Sequence, residues 1–391
     1  MKANEGDRMT TIKMFEKPLG MRDTHPMMYE KLQHVRSIGR QYLKQNGYQF
    51  MKTPTLEYYD TVGKASAIKE SALFKLVDSQ GNTLVMRPDM TTPIARVSSS
   101  KLLNEKIPQR LAYFANVYRA QQREGGRPAE FEQMGVELIG DQSVYADAEI
   151  IITTIGLLTK LGIKSFKLTV GHADILQSVL SKYIQKSDVI EQVRTLLIDK
   201  NFVGVEQVIA SLETEHKEEL LAFLDGAMSD DELQAFINNE EAFKYMNTLK
   251  QLLNDANVLP YIVFDYTYTS HMNYYTGMLF EVYAAGSGFP LGNGGRYDGL
   301  FEHFGQQVGA TGFGLRVDRI LESIPAFEVP NESIAIIHDA PNYKAAIQEA
   351  ESLREQGKNV TLQFQQALVN EQQFIAHFKE VKYFVQEAPS E

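Results

Sequence analysis

Two long strand-like stretches constrain the fold of this chain more than any other feature. Residues 111–119 and 131–139 flank a loop rich in glycine and arginine, a pattern typical of antiparallel strands joined by a turn. A shorter pair, residues 75–79 and 83–87, surrounds Gln80-Gly81-Asn82 and predicts a hairpin. The chain is therefore expected to contain an antiparallel sheet.

Helical periodicity accompanies these strands. Apolar residues recur at helical spacing over residues 27–46, and Gly47 follows as a helix stop. Residues 146–161 indicate a buried helix. A further helix is predicted at 314–323, and further strands at 166–170, 261–265 and 278–283. Runs of strands with a few long helices are typical of the α+β class, in which helices pack against an antiparallel sheet.

The chain is expected to divide into several regions. The polar start, residues 1–16, lacks the apolar core of a secretory signal and is interpreted as a flexible leader. Residues 17–327 would form the main domain. Within it, residues 173–258 are rich in Leu, Glu, Lys and Gln at helical spacing, which predicts a helical insertion. Alternating strand and helix patterns at 328–391 predict a small C-terminal α/β domain.

Composition argues against several classes of function. No apolar run approaches the roughly 18 residues that cross a bilayer. The chain has no cysteine, which excludes disulfides and fits a cytoplasmic protein. The net charge is −11 and no basic run of five residues occurs, so a nucleic-acid partner is disfavoured. The eight histidines show no metal-ligand spacing, and neither a metal nor a cofactor is expected.

The long strand pair carries polar residues suited to binding a small molecule. Arg119, at a strand end, can present two parallel donors to a carboxylate or phosphate. Gln133 and Glu137 are four residues apart on the return strand, so both point to one face. That face would offer acceptors to an α-amino group or an imidazole. A hairpin with a solvated polar face explains the same residues.

Three further segments carry candidate residues with ordinary structural alternatives. Asp89 and Thr91 near a helix start are suited to an amino group and equally to helix capping, and both roles are compatible. The adjacent Tyr274 and Tyr275 would face opposite sides of a strand, one walling a pocket and the other in the core. Residues 292–300 are interpreted as a tight glycine-rich turn, from which Arg296 and Tyr297 reach a cleft.

Together these segments resemble the histidyl-tRNA synthetase family of class II aminoacyl-tRNA synthetases over residues 17–327. Residues 118–137 resemble motif 2, residues 309–320 resemble motif 3, and residues 20–23 and 53–57 resemble the motif 1 region, which forms the dimer interface. The resemblance implies a class II synthetase-like sheet and a histidine-binding pocket. The pocket residues it implies are Asp89, Thr91, Gln133, Glu137, Tyr274, Tyr275 and Tyr297, with Arg119 facing a carboxylate or phosphate.

This chain departs from that family at residues that the family uses to bind and activate ATP. Ser270 stands where the family has an arginine that holds the α-phosphate of ATP, and losing such a cation costs about 3–4 kcal/mol of barrier or more. Arg316 stands where a glycine lies under the nucleotide and would fill the adenine site. Gln121, Ala129 and Asn273 replace a glutamate, an arginine and an aspartate. The acidic tail is also too short for an anticodon-binding domain.

This pattern resembles a family of synthetase paralogues that serve as regulatory subunits of ATP phosphoribosyltransferase. The resemblance implies a non-catalytic chain that binds L-histidine for feedback control of the first step of histidine biosynthesis and is needed for the activity of the catalytic subunit. It also implies a homodimer, assembled into a hetero-oligomer with a short catalytic subunit, and no tRNA partner. Two alternatives stay open: a divergent active histidyl-tRNA synthetase, and a stand-alone histidine-binding regulator of another partner.

Overall fold

The computed structural model describes most of the chain. The described residues are 15–102, 108–120, 128–212, 214–226, 228, 230–237, 239–270, 272, 274–325 and 332–386. The chain divides into two compact units, Met1–Pro325 and Ala326–Glu391. The predicted leader falls almost entirely outside the described residues, as does the predicted boundary at 327. Both therefore stay predictions.

The helices of the first unit surround and extend a central sheet. In chain order they are α1 (Pro26–Gln45), α2 (Thr91–Val97), α3 (Val144–Lys160), α4 (Ala173–Tyr183), α5 (Ser187–Ile198), α6 (Phe202–Ala210), α7 (Lys217–Leu224), α8 (Asp230–Phe236), α9 (Glu240–Asp255) and α10 (Val317–Ser323). Short π-helical turns occur at Tyr59–Gly63 and Ser98–Leu102, and short 3-10 turns at Glu70–Ala72, Leu259–Tyr261 and Asp298–Phe304. Helices α4 to α9 form the helical insertion that the sequence predicts.

The strands of the first unit form a large sheet and a small one. In chain order they are β1 (Gln49–Phe50), β2 (Leu56–Tyr58), β3 (Lys75–Val77), β4 (Thr83–Met86), β5 (Gln109–Tyr118), β6 (Glu130–Ile139), β7 (Phe166–His172), β8 (Ile262–Phe264), β9 (Met278–Ala284), β10 (Gly292–Arg296) and β11 (Ala310–Arg316). The large sheet has the order β1-β5-β6-β11-β10-β9-β7-β8, and the small antiparallel sheet the order β2-β4-β3. The predicted antiparallel sheet is confirmed for the central strands, whereas β1 pairs with β5, and β7 with β8, in parallel.

The two faces of the large sheet bury different cores because side chains alternate along a strand. On β6, Met134, Val136 and Leu138 are fully buried in the core that includes α3 and α10. Gln133 and Glu137 point to the other face, over which α2 and the 3-10 turn Asp298–Phe304 contact each other. That second face holds the candidate site.

The second unit is a small α/β fold. Its strands β12 (Ser333–His338), β13 (Asn359–Phe364) and β14 (Glu380–Phe384) are parallel in the order β13-β12-β14. Helices α11 (Tyr343–Glu355) and α12 (Glu371–Ile375) connect them, and a short 3-10 turn, Gln365–Ala367, follows β13. Ala346 and Ala350 of α11 are fully buried in one core with β12. The predicted small C-terminal α/β domain is confirmed as a fold.

Most predicted elements are present, with two errors in the glycine-rich segments. The helix predicted over residues 314–323 begins only at Val317, because the residues before it form β11. The tight turn predicted from Gly292 is also wrong: Gly292–Arg296 is strand β10, paired on both sides by β9 and β11. Because glycine has a low strand propensity, the local sequence does not predict strands at β10 and β11. Glycine is required at 294, where a Cβ would lie 2.5 Å from the carbonyl oxygen of Gly312.

Candidate functional site

A polar cavity lies on the second face of the large sheet. Its volume of about 20 Å³ is room for about one water molecule, far below the roughly 300–1,000 Å³ typical of small-molecule sites. Its lining residues are Asp89, Thr91, Tyr113, Gln133, Glu137, Met272, Tyr274, Tyr275, Asn293, Tyr297, Gly312, Phe313 and Gly314.

Glu137 is the central acidic group of this cavity. Its carboxyl group is almost completely buried, and both oxygens accept hydrogen bonds: Oε1 from the Thr91 hydroxyl at 2.9 Å and Oε2 from the Tyr297 hydroxyl. Gly312 lies directly beneath it, since a Cβ at that position would be 2.1 Å from Glu137 Oε2. A strand, a helix start and a loop thus converge on one carboxyl group.

Burial changes the protonation of Glu137. Loss of hydration, with a smaller contribution from the Asp89 charge, raises the pKa of this carboxyl to about 8, although hydrogen bonds from Tyr297 and Thr91 oppose the shift. At neutral pH the carboxyl is therefore mostly protonated in the ligand-free protein. Formation of an ion pair between this carboxyl and a ligand cation therefore requires release of its proton.

Asp89 caps α2, one of the two roles that the sequence left open, and its position at the cavity is compatible with the other. Its Oδ1 accepts the backbone N–H of Thr92 at 2.8 Å, which caps the start of α2, and its Oδ2 accepts the Ser66 hydroxyl at 2.5 Å. It is 2% exposed and also lines the cavity. Capping therefore fixes the carboxylate at the cavity wall.

The prediction that Tyr274 and Tyr275 lie on opposite sides of a strand is wrong. Both precede β9 in an irregular segment, and both line the cavity, with ring centroids 5.1 Å apart at near-perpendicular planes. Tyr274 also contacts the Tyr297 ring edge-on, at 5.9 Å. Because the backbone here is not extended, the two rings are not forced apart. Burial raises the pKa of both phenols, so they stay neutral donors.

The structure adds cavity residues that the sequence did not single out. Tyr113 and Asn293 come from the central strands β5 and β10, and Met272 from the segment before the tyrosine pair. The tyrosine lies directly across the pair β5–β6 from Gly135, and the asparagine across the pair β10–β11 from Gly314. The pairing register of the strands brings Tyr113 and Asn293 to the site, and local sequence does not reveal that register.

Two amide side chains in the cavity lack protein partners. Gln133 is only 8% exposed and Asn293 is half-buried, yet neither amide forms a hydrogen bond with the described residues. Both lie on the same face of the sheet, with Gly314 on the strand between them. Since buried polar groups are normally satisfied, these amides are suited to hydrogen bonding a polar ligand.

Comparison with known proteins establishes the family. The family model described as "Histidyl-tRNA synthetase" matches residues 20–320, and that described as "Histidyl-tRNA synthetase HisZ, C-terminal domain" matches residues 335–386. An ATP phosphoribosyltransferase regulatory subunit from Lysinibacillus sphaericus (strain C3-41) is 55% identical over 96% of this chain and 99% of its own length. The chain belongs to the family of ATP phosphoribosyltransferase regulatory subunits.

Other members of this family support the same assignment. The regulatory subunit from Bacillus subtilis (strain 168) is 44% identical over 95% of this chain and 97% of its own length. A solved structure from Bacillus halodurans C, described as an ATP phosphoribosyltransferase regulatory subunit/histidyl-tRNA synthetase, is 38% identical and has a TM-score of 0.89. It covers 97% of this chain and 100% of its own. Apo histidyl-tRNA synthetase from S. aureus, 22% identical with a TM-score of 0.70, shares the fold. The predicted family and class II synthetase-like fold are confirmed.

Arg119, one of the predicted histidine-binding residues, does not line the cavity. Its Nε donates to the Pro88 carbonyl at 2.9 Å, and its guanidinium lies 5.3 Å from the centroid of the Phe131 ring. Burial lowers the pKa of this guanidinium, and the nearby Asp89 charge opposes that shift. Arg119 thus lies beside the acidic wall of the cavity.

Two residues at which this chain differs from a synthetase, Ser270 and Arg316, make defined contacts in the structure. Ser270 accepts the backbone N–H of Met272 at 3.2 Å, so its hydroxyl serves the local chain. The guanidinium of Arg316 lies 3.7 Å from the centroid of the Phe131 ring and pairs through two nitrogens with Asp318, at 2.7 and 3.1 Å.

A third departure lies in a closely packed place. Ala129 is fully buried, and a Cβ added at Gly20 would lie 2.7 Å from the Ala129 Cβ. The small side chain at position 129 thus packs directly against Gly20. Gln121 and Asn273 lie outside the described residues. An active synthetase would need another arginine, Arg123, Arg127 or Arg316, in place of the one lost at position 270, and the first two of these also lie outside the described residues.

Arg296 does not reach the cavity, contrary to prediction. Its side chain leaves β10 on the opposite face, where Nε donates to Asp147 Oδ2 at 2.9 Å. Its two terminal nitrogens donate to the carbonyls of Asp141 and Ser143, each at 3.1 Å. The next residue, Tyr297, points into the cavity, because consecutive residues near a strand end face opposite sides.

No cluster of three or more His, Cys, Asp or Glu side chains suited to a metal occurs in the described residues. Within the same residues, no helix is both long and apolar enough to cross a membrane.

Proposed function

We propose that this regulatory subunit is itself non-catalytic, and that it binds L-histidine in the cavity around Glu137 to control a separate, short catalytic subunit. One observation carries the proposal. The cavity retains the carboxyl, amide and phenol groups that an amino-acid ligand needs, while Ser270 stands in place of the arginine cation that activation of histidine requires. A site that binds an amino acid but lacks the cation needed to activate it is suited to sensing that amino acid.

The cavity groups match the polar atoms of histidine. Glu137 would pair with the α-ammonium or an imidazole N–H, and the unpartnered amides of Gln133 and Asn293 would take the remaining polar atoms. The rings of Tyr274 and Tyr275 would flank the imidazole. An analogue that lacks one of these groups would leave a buried polar group unpaired, so discrimination should be strong.

Ligand binding requires the cavity to widen, since it now has room for about one water molecule. Histidine would therefore bind a widened state better than the present one. By reciprocity, a catalytic subunit that favours one of these states changes the histidine affinity, and histidine changes the activity of the complex. This is feedback control at a catalytic site that lies in another chain.

A homodimer within the hetero-oligomer is part of the proposal. The β2-β4-β3 sheet exposes Leu56, Tyr58 and Leu76 on one face, which a second copy of the chain would cover. A net charge of −11 disfavours tRNA as a partner. A cytoplasmic location of the complex is part of the same proposal.

Calorimetry with L-histidine, followed by histidine-dependent ATP–pyrophosphate exchange on the same protein, tests the proposal. Binding without exchange is expected, because Ser270 offers no cation to the α-phosphate. Exchange at a rate typical of synthetases would instead identify an active histidyl-tRNA synthetase. Histidine binding without any effect on a phosphoribosyltransferase catalytic subunit would leave a stand-alone regulator.

Truncation of the cavity should remove histidine control. In a complex reconstituted with the catalytic subunit, Glu137→Ala and Tyr275→Ala are each expected to abolish inhibition by histidine while the subunits still assemble. Tyr145→Phe, on the exposed surface of α3, serves as the control and should respond normally. Unchanged inhibition in both cavity variants would place the effector site elsewhere.

A further inference from the structure

Asp89, which forms part of the cavity wall, is supported by a residue outside the cavity. Its Oδ2 accepts the Ser66 hydroxyl at 2.5 Å, and its Oδ1 accepts the backbone N–H of Thr92 at 2.8 Å. Asp89 is only 2% exposed, whereas Ser66 is half-buried and is not among the residues that line the cavity. Ser66 can therefore influence a ligand in the cavity through the Asp89 carboxylate.

The Ser66 hydroxyl is held in one orientation. Its oxygen accepts the backbone N–H of Ile68 at 3.2 Å, and the backbone N–H of Ser66 donates to the Val62 carbonyl at 3.0 Å. A serine hydroxyl carries a single proton. Because the oxygen already accepts from Ile68, this proton is directed to Asp89. The terminal torsion of an aspartate is otherwise soft, so a donor fixed in direction holds the carboxylate against rotation.

The segment that carries Ser66 is itself closely packed. It follows the π-helical turn Tyr59–Gly63, and a Cβ added at Gly63 would lie 2.6 Å from the Tyr59 ring. The turn packs against β2, β4 and α2. Turns of this kind often occur at functional sites. Ser66 thus stands on a support that also contacts α2, the helix whose start Asp89 caps.

The ligand-free cavity carries its negative charge on Asp89. That charge contributes to the raised pKa of Glu137, which is mostly protonated at neutral pH. The hydroxyl of Ser66 and the N–H of Thr92 stabilise the Asp89 charge by direct hydrogen bonds. A carboxylate has about four lone-pair sites, so two remain for a ligand. Asp89 is therefore the anionic acceptor that an incoming α-ammonium group meets.

We propose that Ser66 is a positioning residue for recognition of the ligand's α-ammonium group, and that it acts through the Asp89 carboxylate. Without the hydroxyl, Oδ2 loses its donor and the carboxylate is held only by the N–H of Thr92. Binding then includes the cost of orienting the carboxylate towards the ligand cation. The effect is specific to ligands that carry an amino group. The proposal rests on histidine binding in the cavity, as proposed above.

Displacement calorimetry of the full chain with L-histidine and with imidazolepropionate, which lacks only the α-amino group, tests this role. Ser66→Ala should weaken L-histidine binding by about tenfold or more, as expected for a lost hydrogen bond to a charged group. Its affinity for the analogue should stay within about twofold of wild type, because a loss of folding alone would weaken both ligands alike. Ser66→Thr keeps the hydroxyl and should restore L-histidine affinity to within about threefold of wild type.

Two further variants complete the test. Ser100→Ala is the matched control, since this exposed hydroxyl donates to the backbone carbonyls of Arg96 and Val97, and it should bind both ligands as the wild type does. Asp89→Asn keeps a capping side chain and removes the charge. Adding Ser66→Ala to Asp89→Asn should cost little further histidine affinity, because the hydroxyl acts through the carboxylate. This comparison decides the question even if the analogue does not bind.

Three results would overturn the role of Ser66 and leave histidine binding intact. They are equal losses of affinity for both ligands in Ser66→Ala, wild-type histidine affinity in that variant, and a full additional loss when Ser66→Ala is added to Asp89→Asn. Absence of histidine binding to the wild type would instead refute the proposed function.

Discussion

At the residue scale, Glu137 is governed by burial more than by its hydrogen bonds. Two hydroxyl donors favour the ionised carboxylate, but loss of hydration outweighs them and raises the pKa to about 8. The folded protein therefore holds a proton that the unfolded chain releases near the ordinary value of 4.5. It follows that Glu137 contributes less to stability as pH rises from about 4.5 to about 8.

The same proton should make histidine binding pH-dependent. If ionised Glu137 pairs with the ligand cation, binding releases its proton, and affinity should rise by up to about tenfold per pH unit between pH 6 and pH 8. Calorimetry across this range measures the slope, and Glu137→Gln, which has no proton to release, should lack it. Equal slopes in both proteins would mean that Glu137 binds histidine in its neutral form.

Gly312 is required for a reason of space. A Cβ there would lie 2.1 Å from Glu137 Oε2 and 2.4 Å from the Val136 carbonyl oxygen, so Gly312→Ala should lower the free energy of unfolding by about 1–3 kcal/mol and abolish histidine binding. Gly299→Ala, whose Cβ would meet Thr276 at an ordinary 3.4 Å, is the control. Urea unfolding and calorimetry measure both effects, and wild-type behaviour of Gly312→Ala would contradict the packing argument.

At the element scale, β10 lies between the buried Asp147–Arg296 ion pair and the ligand cavity. Its glycines allow close approach to β9 and β11, its last side chain pairs with the buried Asp147, and the following Tyr297 enters the cavity. The Asp147–Arg296 ion pair is almost completely excluded from solvent, with side chains 0% and 7% exposed. Such a pair stabilises only while both partners are present.

Removal of one partner should therefore be costly. Asp147→Ala removes the fully buried carboxylate and leaves the buried Arg296 charge with the partly exposed Asp298, 3.2 Å away, as its carboxylate partner, and should lower the free energy of unfolding by up to about 3–5 kcal/mol. Lys64→Gln breaks an exposed pair with Asp60, 2.6 Å long, and should leave the urea midpoint unchanged because solvent screens that pair. Equal midpoints for the two variants would show that the buried pair is dispensable.

At the scale of the whole molecule, the small β2-β4-β3 sheet is partly buried on one face and has apolar side chains open to solvent on the other. Glu57 and Val85 are buried on the first, while Leu56, Tyr58 and Leu76 are 45%, 52% and 43% exposed on the second. An open apolar sheet face of this kind is typical of an association surface. The resemblance of residues 53–57 to a dimer-forming motif agrees with a second copy of the chain as its occupant.

A charge on this face should separate the copies. Tyr58→Glu is expected to be monomeric, at concentrations where the wild type is dimeric, and to keep its helical circular dichroism. Analytical ultracentrifugation measures the difference, and Val369→Asp, at a fully exposed apolar residue of the second unit, is the control. A monomeric wild type, or a dimeric Tyr58→Glu, would show that this face does not form the dimer.

The sequence by itself predicted the elements whose patterns are local. The strands β5 and β6, the helix α1, the helical insertion and the small α/β fold follow from alternation, helical spacing and stop signals carried by neighbouring residues. It also placed Asp89, Thr91, Gln133 and Glu137 among the candidate ligand-binding residues. Residue types and spacing carried these predictions, and the family resemblance ordered them into one pocket.

Only the tertiary structure decided what depends on distant neighbours. Strand β10 exists because its flanking strands approach closely, although its glycines have little strand propensity. Arg296 lies away from the cavity because Asp147, 149 residues earlier, is buried beneath it. The raised pKa of Glu137 follows from burial by several elements, and the entry of both tyrosines into the cavity from an irregular backbone before β9. Strand pairing, burial and charge are set by non-local contacts, which a local pattern does not contain.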